Sequence, residues 1–200
     1  LARTVQFTFI SLVGICLAIS YQKAKQKRDM CTYAYPQAKR GVFILLCGMI
    51  VTLGTWLVFP GDYIRFGVLH FIGVSILLFS PLGGRPKLAF LLGIFVYLIS
   101  SSIHATKAQS AWWLIFGFDY SFSSLDYFPL FPWSALILFG IVLGHIFYDG
   151  QHRRLPMMNR LDMLIPSWAT ISGQYSLIIY LIHAPIMIGL IELYGWIMGV

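Results

Sequence analysis

Apolar residues gather in six long runs, at 4–21, 41–59, 64–80, 88–103, 132–148 and 171–198. Crossing ~30 Å of hydrocarbon takes about 20 helical residues, with about 17 as the lower end. Most of the runs approach that length. The third and fourth are short, so they cross a thinned region or are shielded by their neighbours. The pattern predicts an all-α polytopic transmembrane helix bundle of about six helices, with residues 1–200 as a single transmembrane domain.

Composition supports a lipid solvent. Of the 200 residues, 58% are apolar and 10% are charged, against roughly 25% charged in an average soluble domain. A water-soluble fold of this size could not hide that much apolar surface, whereas a bilayer solvates it. The net charge of +7 raises nucleic acid as a partner, but the basic residues form no patch along a polar surface. They sit instead in alternate loops. The first loop (22–40) holds Lys23, Lys25, Lys27, Arg28, Lys39 and Arg40; the third (81–87) holds Arg85 and Lys87; the fifth (149–170) holds Arg153, Arg154 and Arg160. Only Arg3, Arg65 and Lys107 fall elsewhere. The positive-inside rule places these three loops in the cytoplasm. The first run then passes from outside to inside. The chain opens at Leu1 without a signal peptide, so at least one further helix is expected upstream. Cys16, Cys31 and Cys47 lack any metal-ligand or CxxC spacing and read as unpaired.

The fourth loop (104–131) is external on this topology and rich in aromatics, with Trp112, Trp113, Phe116 and Phe118 among them. It reads either as an interfacial aromatic belt or, over 110–118, as a helix lying in the interface or dipping into the protein. Ionisable groups in the spans are the other informative feature, since each costs ~2.5–3.5 kcal/mol at the bilayer centre. Arg65 is expected to open the third helix, as an interfacial anchor or an anion-binding group. His70 would lie about 7.5 Å deeper, as a packing histidine or a cavity group that moves a proton. Asp126 would meet Arg65 if the fourth loop folds back. Ser176, Tyr180 and His183 are spaced four and three apart and share one helix face, beside a turn loosened by Pro185. His145 reads as an interfacial histidine, and His104 and His152 as loop residues. There is no phosphate loop, nucleophile elbow or HExxH motif.

Four strings carry a resemblance. They are Phe9-Ile10-Ser11-Leu12-Val13-Gly14; Tyr63-Ile64-Arg65-Phe66-Gly67-Val68-Leu69-His70-Phe71-Ile72-Gly73-Val74; Asp126-Tyr127-Phe128-Pro129-Leu130-Phe131-Pro132-Trp133, continuing to Gly144; and Gly173-Gln174-Tyr175-Ser176-Leu177-Ile178-Ile179-Tyr180-Leu181-Ile182-His183-Ala184-Pro185. In this order and over nearly the whole chain, they resemble the heparan-alpha-glucosaminide N-acetyltransferase catalytic-domain family, in its bacterial branch. The resemblance implies a transmembrane acyltransferase. It would take an acetyl or other acyl group from acyl-coenzyme A on the cytoplasmic side and deliver it to a sugar or glycan across the membrane. Acetyl-coenzyme A or another acyl-coenzyme A would be the donor, with no metal. The partners would be the lipid bilayer and the glycan acceptor; a homo-oligomer stays open. The location would be a bacterial inner membrane. The family carries its catalytic histidine beyond an Arg-Gly stretch that would precede Leu1, so none of the five histidines here inherits that role by position. Within this chain, His70 and His183 are the candidates for proton handling. Arg65, Asp126 and Tyr180 are the candidates for acceptor binding, and Lys39, Arg40, Arg153 and Arg154 for the coenzyme phosphates. Two rivals stand beside this reading. A small-solute or glycan transporter would tend to show two related halves with broken helices, and no such symmetry is visible. The other rival is a non-catalytic membrane subunit of an envelope-glycan export system.

Overall fold

Five of the six apolar runs appear as α-helices in Leu1–Arg154, the first of two compact units; the second is Leu155–Val200. The computed structural model describes residues 2–26, 31–107, 110–118, 124–149 and 152–154, with isolated positions between 175 and 198. The helices of the first unit are α1 (Ala2–Gln26), α2 (Cys31–Val58), α3 (Val68–Phe79), α4 (Pro86–Ala105) and α5 (Leu130–Phe147). Short 3₁₀ helices cover Ser80–Gly84 and Ala111–Phe116. A small antiparallel hairpin joins β1 (Tyr148–Asp149) to β2 (His152–Arg153). In the second unit, positions 177–179, 181, 182, 186, 194 and 198 are helical, inside the sixth predicted run.

α1, α2, α4 and α5 contain segments long and apolar enough to cross a bilayer, while Val68–Gly84 is a shorter apolar helical stretch. The outward faces are apolar: Phe9 and Leu12 on α1, Phe43, Ile50 and Leu53 on α2, and Leu91, Phe95 and Leu98 on α4 are all exposed. Water would not tolerate these faces, but lipid does. The protein is an integral membrane helix bundle.

Lipid gives helices no hydrophobic reason to associate, so close backbone packing must supply the attraction. The sequence provides it with small residues four apart. Gly14 and Ala18 on α1 meet Gly140 and Gly144 on α5. A Cβ added at Gly14 would land on the Ile137 carbonyl oxygen, and one at Gly140 on that of Ser11. α2 and α3 approach the same way: a Cβ at Gly73 would lie 2.9 Å from the Gly41 carbonyl oxygen. α4 joins through Gly93, which faces the Phe139 ring of α5. Phe71 and Ile76 of α3, with Ile137, Leu138 and Ile141 of α5, are completely buried. α3 and α5 therefore supply much of the interior, and α1, α2 and α4 present lipid-facing sides.

Three expectations need correction. The first loop was expected to run to Arg40, but α2 begins at Cys31 and carries Lys39 and Arg40 as exposed helical residues. Hydropathy marks where hydrocarbon ends, and a helix can continue into the polar zone. Here the Tyr33 hydroxyl donates to the Ser80 carbonyl at 2.6 Å and its ring meets Tyr21 edge-on, which ties the extension down. The third helix starts at Val68, so Arg65 lies in the non-helical segment before it. Finally, 110–118 holds only the six-residue 3₁₀ helix, closed by Gly117 at φ 96°. α5 is regular from Pro132 onward, after the non-helical Phe131.

Candidate functional site

Residues 62–67 leave α2 without forming helix, so their peptide groups need partners. Two threonines of α2 supply them for Ile64. The Thr52 hydroxyl donates to the Ile64 carbonyl at 2.7 Å, and the Ile64 N–H donates to Thr55 Oγ1 at 3.1 Å. Three residues apart, the two hydroxyls share a helix face. They hold Ile64 by both its backbone polar groups, in the peptide units before and after it, and fix where the chain enters Arg65.

The fourth loop clasps the same segment. The Leu125 N–H donates to the Asp62 carbonyl at 2.9 Å, and the Phe128 N–H to the Phe66 carbonyl at 3.0 Å. Phe66 and Tyr127 form a parallel bridge. The Ser124 hydroxyl lies 2.8 Å from the Asp126 carbonyl and 3.2 Å from that of Tyr63. The Tyr127 hydroxyl donates to the Leu114 carbonyl at 2.6 Å, which fastens the aromatic 3₁₀ helix to the clasp. Burial pushes the Tyr127 phenol up to about 12, so it stays a donor at neutral pH.

At the start of α3, Asp126 Oδ2 accepts the Val68 N–H at 3.1 Å. The carboxylate thus serves a helix N-terminus from a distant loop, where both an orphan donor and the helix dipole favour it. Gly67 leaves the room: a Cβ there would lie 2.7 Å from Asp126 Oδ2. Burial raises the Asp126 carboxyl above its usual range, partly offset by the N–H groups of Val68 and Tyr127. The sign of the pH effect follows. A carboxyl raised in the fold favours the folded state at low pH, and that contribution is lost as pH rises through the raised value. Asp126→Asn keeps an oxygen for Val68 and removes the buried charge. Unfolding followed from pH 4 to pH 7 should therefore show a shallower slope for the variant than for the parent; equal slopes would show that Asp126 does not feel its burial.

His70, in the first turn of α3, is 4% exposed. Its Nε2 lies 3.3 Å from Thr52 Oγ1, and its ring lies 5.7 Å from that of Phe66. The Arg65 guanidinium sits 5.0 Å from the Tyr63 ring centre, within cation–π range. Arg65, His70 and Asp126 thus all lie about the start of α3, each on its own partner: Arg65 over Tyr63, His70 beside Thr52 and Asp126 on the Val68 N–H.

The other candidates lie apart. Arg40 is twelve residues before Thr52 on α2, about 18 Å along the helix. Arg154 pairs with Asp149 at 3.7 Å, both exposed. Such a surface pair contributes only about 0–1 kcal/mol and leaves the guanidinium open to an anion. Tyr180, His183 and the Arg153 side chain lie outside the described residues. His145 Nδ1 is 3.0 Å from the Ile141 carbonyl on its own helix. Among the described residues, no three His, Cys, Asp or Glu gather as metal ligands. Thr52 and Thr55 carry only a faint signal in the sequence: two hydroxyls three apart near the end of an apolar run.

The catalytic-domain profile described as heparan-alpha-glucosaminide N-acetyltransferase, catalytic, matches residues 1–185 of the chain. No curated protein and no solved structure matches it.

Proposed function

This chain belongs to the heparan-alpha-glucosaminide N-acetyltransferase catalytic family, and on that premise we propose that it moves an acyl group from acyl-coenzyme A to a sugar or glycan acceptor across the membrane. At the coarser level, the family and the spans make it a membrane-embedded acyltransferase. The observation that supports the finer reading is the placement of Arg65, His70 and Asp126 about the start of α3.

In the proposed step, an amine or hydroxyl of the acceptor attacks the thioester carbonyl. A nitrogen–carbon or oxygen–carbon bond forms, the carbon–sulfur bond breaks, and the coenzyme leaves as thiolate. His70 takes the proton that the attacking group loses and returns it to the thiolate, which is general acid–base catalysis. Arg65 and Asp126 orient the acceptor, Arg65 through an anionic or hydroxyl group and Asp126 through an amine. Tyr180 and His183 remain proposed contributors. Lys39 and Arg40, exposed on the basic end of α2, suit coenzyme phosphates, with Arg153 and Arg154 as further candidates. By the positive-inside rule that end is cytoplasmic, and the His70 end faces the acceptor compartment.

The test is transfer of labelled acetyl from acetyl-coenzyme A to a panel of amino sugars and envelope glycans by protein in liposomes. Labelled acceptor supports the reading. Absence of transfer, together with absence of acetyl-coenzyme A binding, would overturn it in favour of a transport or partner role.

A further inference from the structure

The Thr52 hydroxyl has one hydrogen and two polar neighbours. It is 2.7 Å from the Ile64 carbonyl oxygen and 3.3 Å from His70 Nε2. A carbonyl oxygen only accepts, so an oxygen–oxygen contact that short uses the hydroxyl hydrogen. Thr52 then has only a lone pair for His70. The Nε2 facing it must carry the hydrogen, and in the neutral ring Nδ1 is left with the lone pair. The other edge of the ring meets α2 at Gly48. A Cβ there would lie 3.0 Å from His70 Nδ1 and 3.1 Å from Cε1, so any other residue would press on that edge.

We propose that Thr52 is a positioning residue that fixes His70 in the Nε2–H tautomer and makes Nδ1 its basic atom. The same hydroxyl couples the ring to the Ile64 peptide, and hence to the segment that carries Arg65. One side chain therefore sets both the His70 ring and the start of the segment that carries Arg65. The catalytic meaning of this arrangement rests on the acyl-transfer reading, but the tautomer does not.

Nitrogen NMR of ¹⁵N-histidine-labelled protein in liposomes tests it, with the His70 signal assigned by its loss in His70→Gln. In the parent protein at neutral pH, Nδ1 is expected in the unprotonated region and Nε2 in the protonated one. Thr52→Val, which removes the hydroxyl at nearly constant shape, should move the signal towards the other tautomer or a mixture. Thr52→Ser should restore it. Thr55→Val is the folding control, since it strips the Ile64 N–H of its partner and leaves the His70 contact in place; its His70 signal should not move. A parent ring protonated at Nδ1, or a signal indifferent to Thr52→Val, would overturn the proposal. In the acetyl-transfer assay, misorienting the base should cost about 10²-fold in kcat, recovered in Thr52→Ser. If the parent transfers no acyl group, the enzyme reading fails while the NMR result still decides the tautomer.

Discussion

Gly140→Leu should abolish stable assembly of α1 on α5, the tightest helix contact among the described residues. A Cβ at this position falls on the Ser11 carbonyl oxygen and within 3.1 Å of Gly14 Cα. The obstacle is backbone on both sides, so no rotamer change relieves it; the helices must separate. Overpacking costs about 1–3 kcal/mol even where side chains can shift, and here the loss includes the attraction that lipid cannot replace. Gly54→Leu is the matched control, because a Cβ at Gly54 meets nothing within 4 Å. Thermal unfolding in detergent, read by the fraction that remains monodisperse, separates the two. Gly140→Leu should lose most of its folded fraction at temperatures where the parent and Gly54→Leu are intact. Equal behaviour of the two variants would mean that α1 and α5 do not need this approach.

That contact shows what the sequence does and does not reveal. Helix number and class follow from apolar runs, because the bilayer makes length and hydropathy nearly sufficient. The close pairing of Gly14 and Ala18 with Gly140 and Gly144 is visible only as small residues four apart, and spacing alone does not say which helices meet. Helix ends are harder. The apolar run that begins at Gly41 belongs to a helix that begins at Cys31, because Tyr33 and Gln37 are buried in the polar zone. The stretch 64–67 falls inside the third apolar run, yet it is not helical, because Thr52, Thr55 and Phe128 take its peptide groups. Hydropathy is blind to that hydrogen bonding.

The site was legible in part for the same reason. Arg65 and His70 stand out because charge and imidazole are costly among apolar residues. The sequence ties Asp126 to Arg65 on the condition that the fourth loop folds back; the loop does fold back, and the carboxylate takes the Val68 N–H. The threonines were quieter. A hydroxyl in a membrane helix is ordinarily satisfied by the carbonyl one turn earlier, as Thr55 is by Val51. Thr52 instead spends its hydrogen on another segment, and a single sequence gives no reason to choose one of these over the other.

His70→Gln is expected to cut acetyl transfer by about 10²–10⁴-fold, the usual share of a positioned acid–base group, with little loss of stability. The choice of glutamine follows from the contact with Thr52. Its side-chain amide can present an N–H near the position of Nε2, so the Thr52 partner is kept. It has no atom that takes up a proton near neutral pH, so the base is lost. Alanine would confuse the two effects, because removing a ring that is 4% exposed leaves a cavity between α2 and α3. The measurements are initial rates with labelled acetyl-coenzyme A and thermal unfolding of the same preparation. A large fall in kcat with near-parental unfolding assigns His70 to the chemistry. Activity within a few-fold of the parent would make His70 a packing residue that joins α3 to Thr52. The proton would then have to leave by another route, and Asp126, raised by burial and close to the same helix start, would be the first group to test.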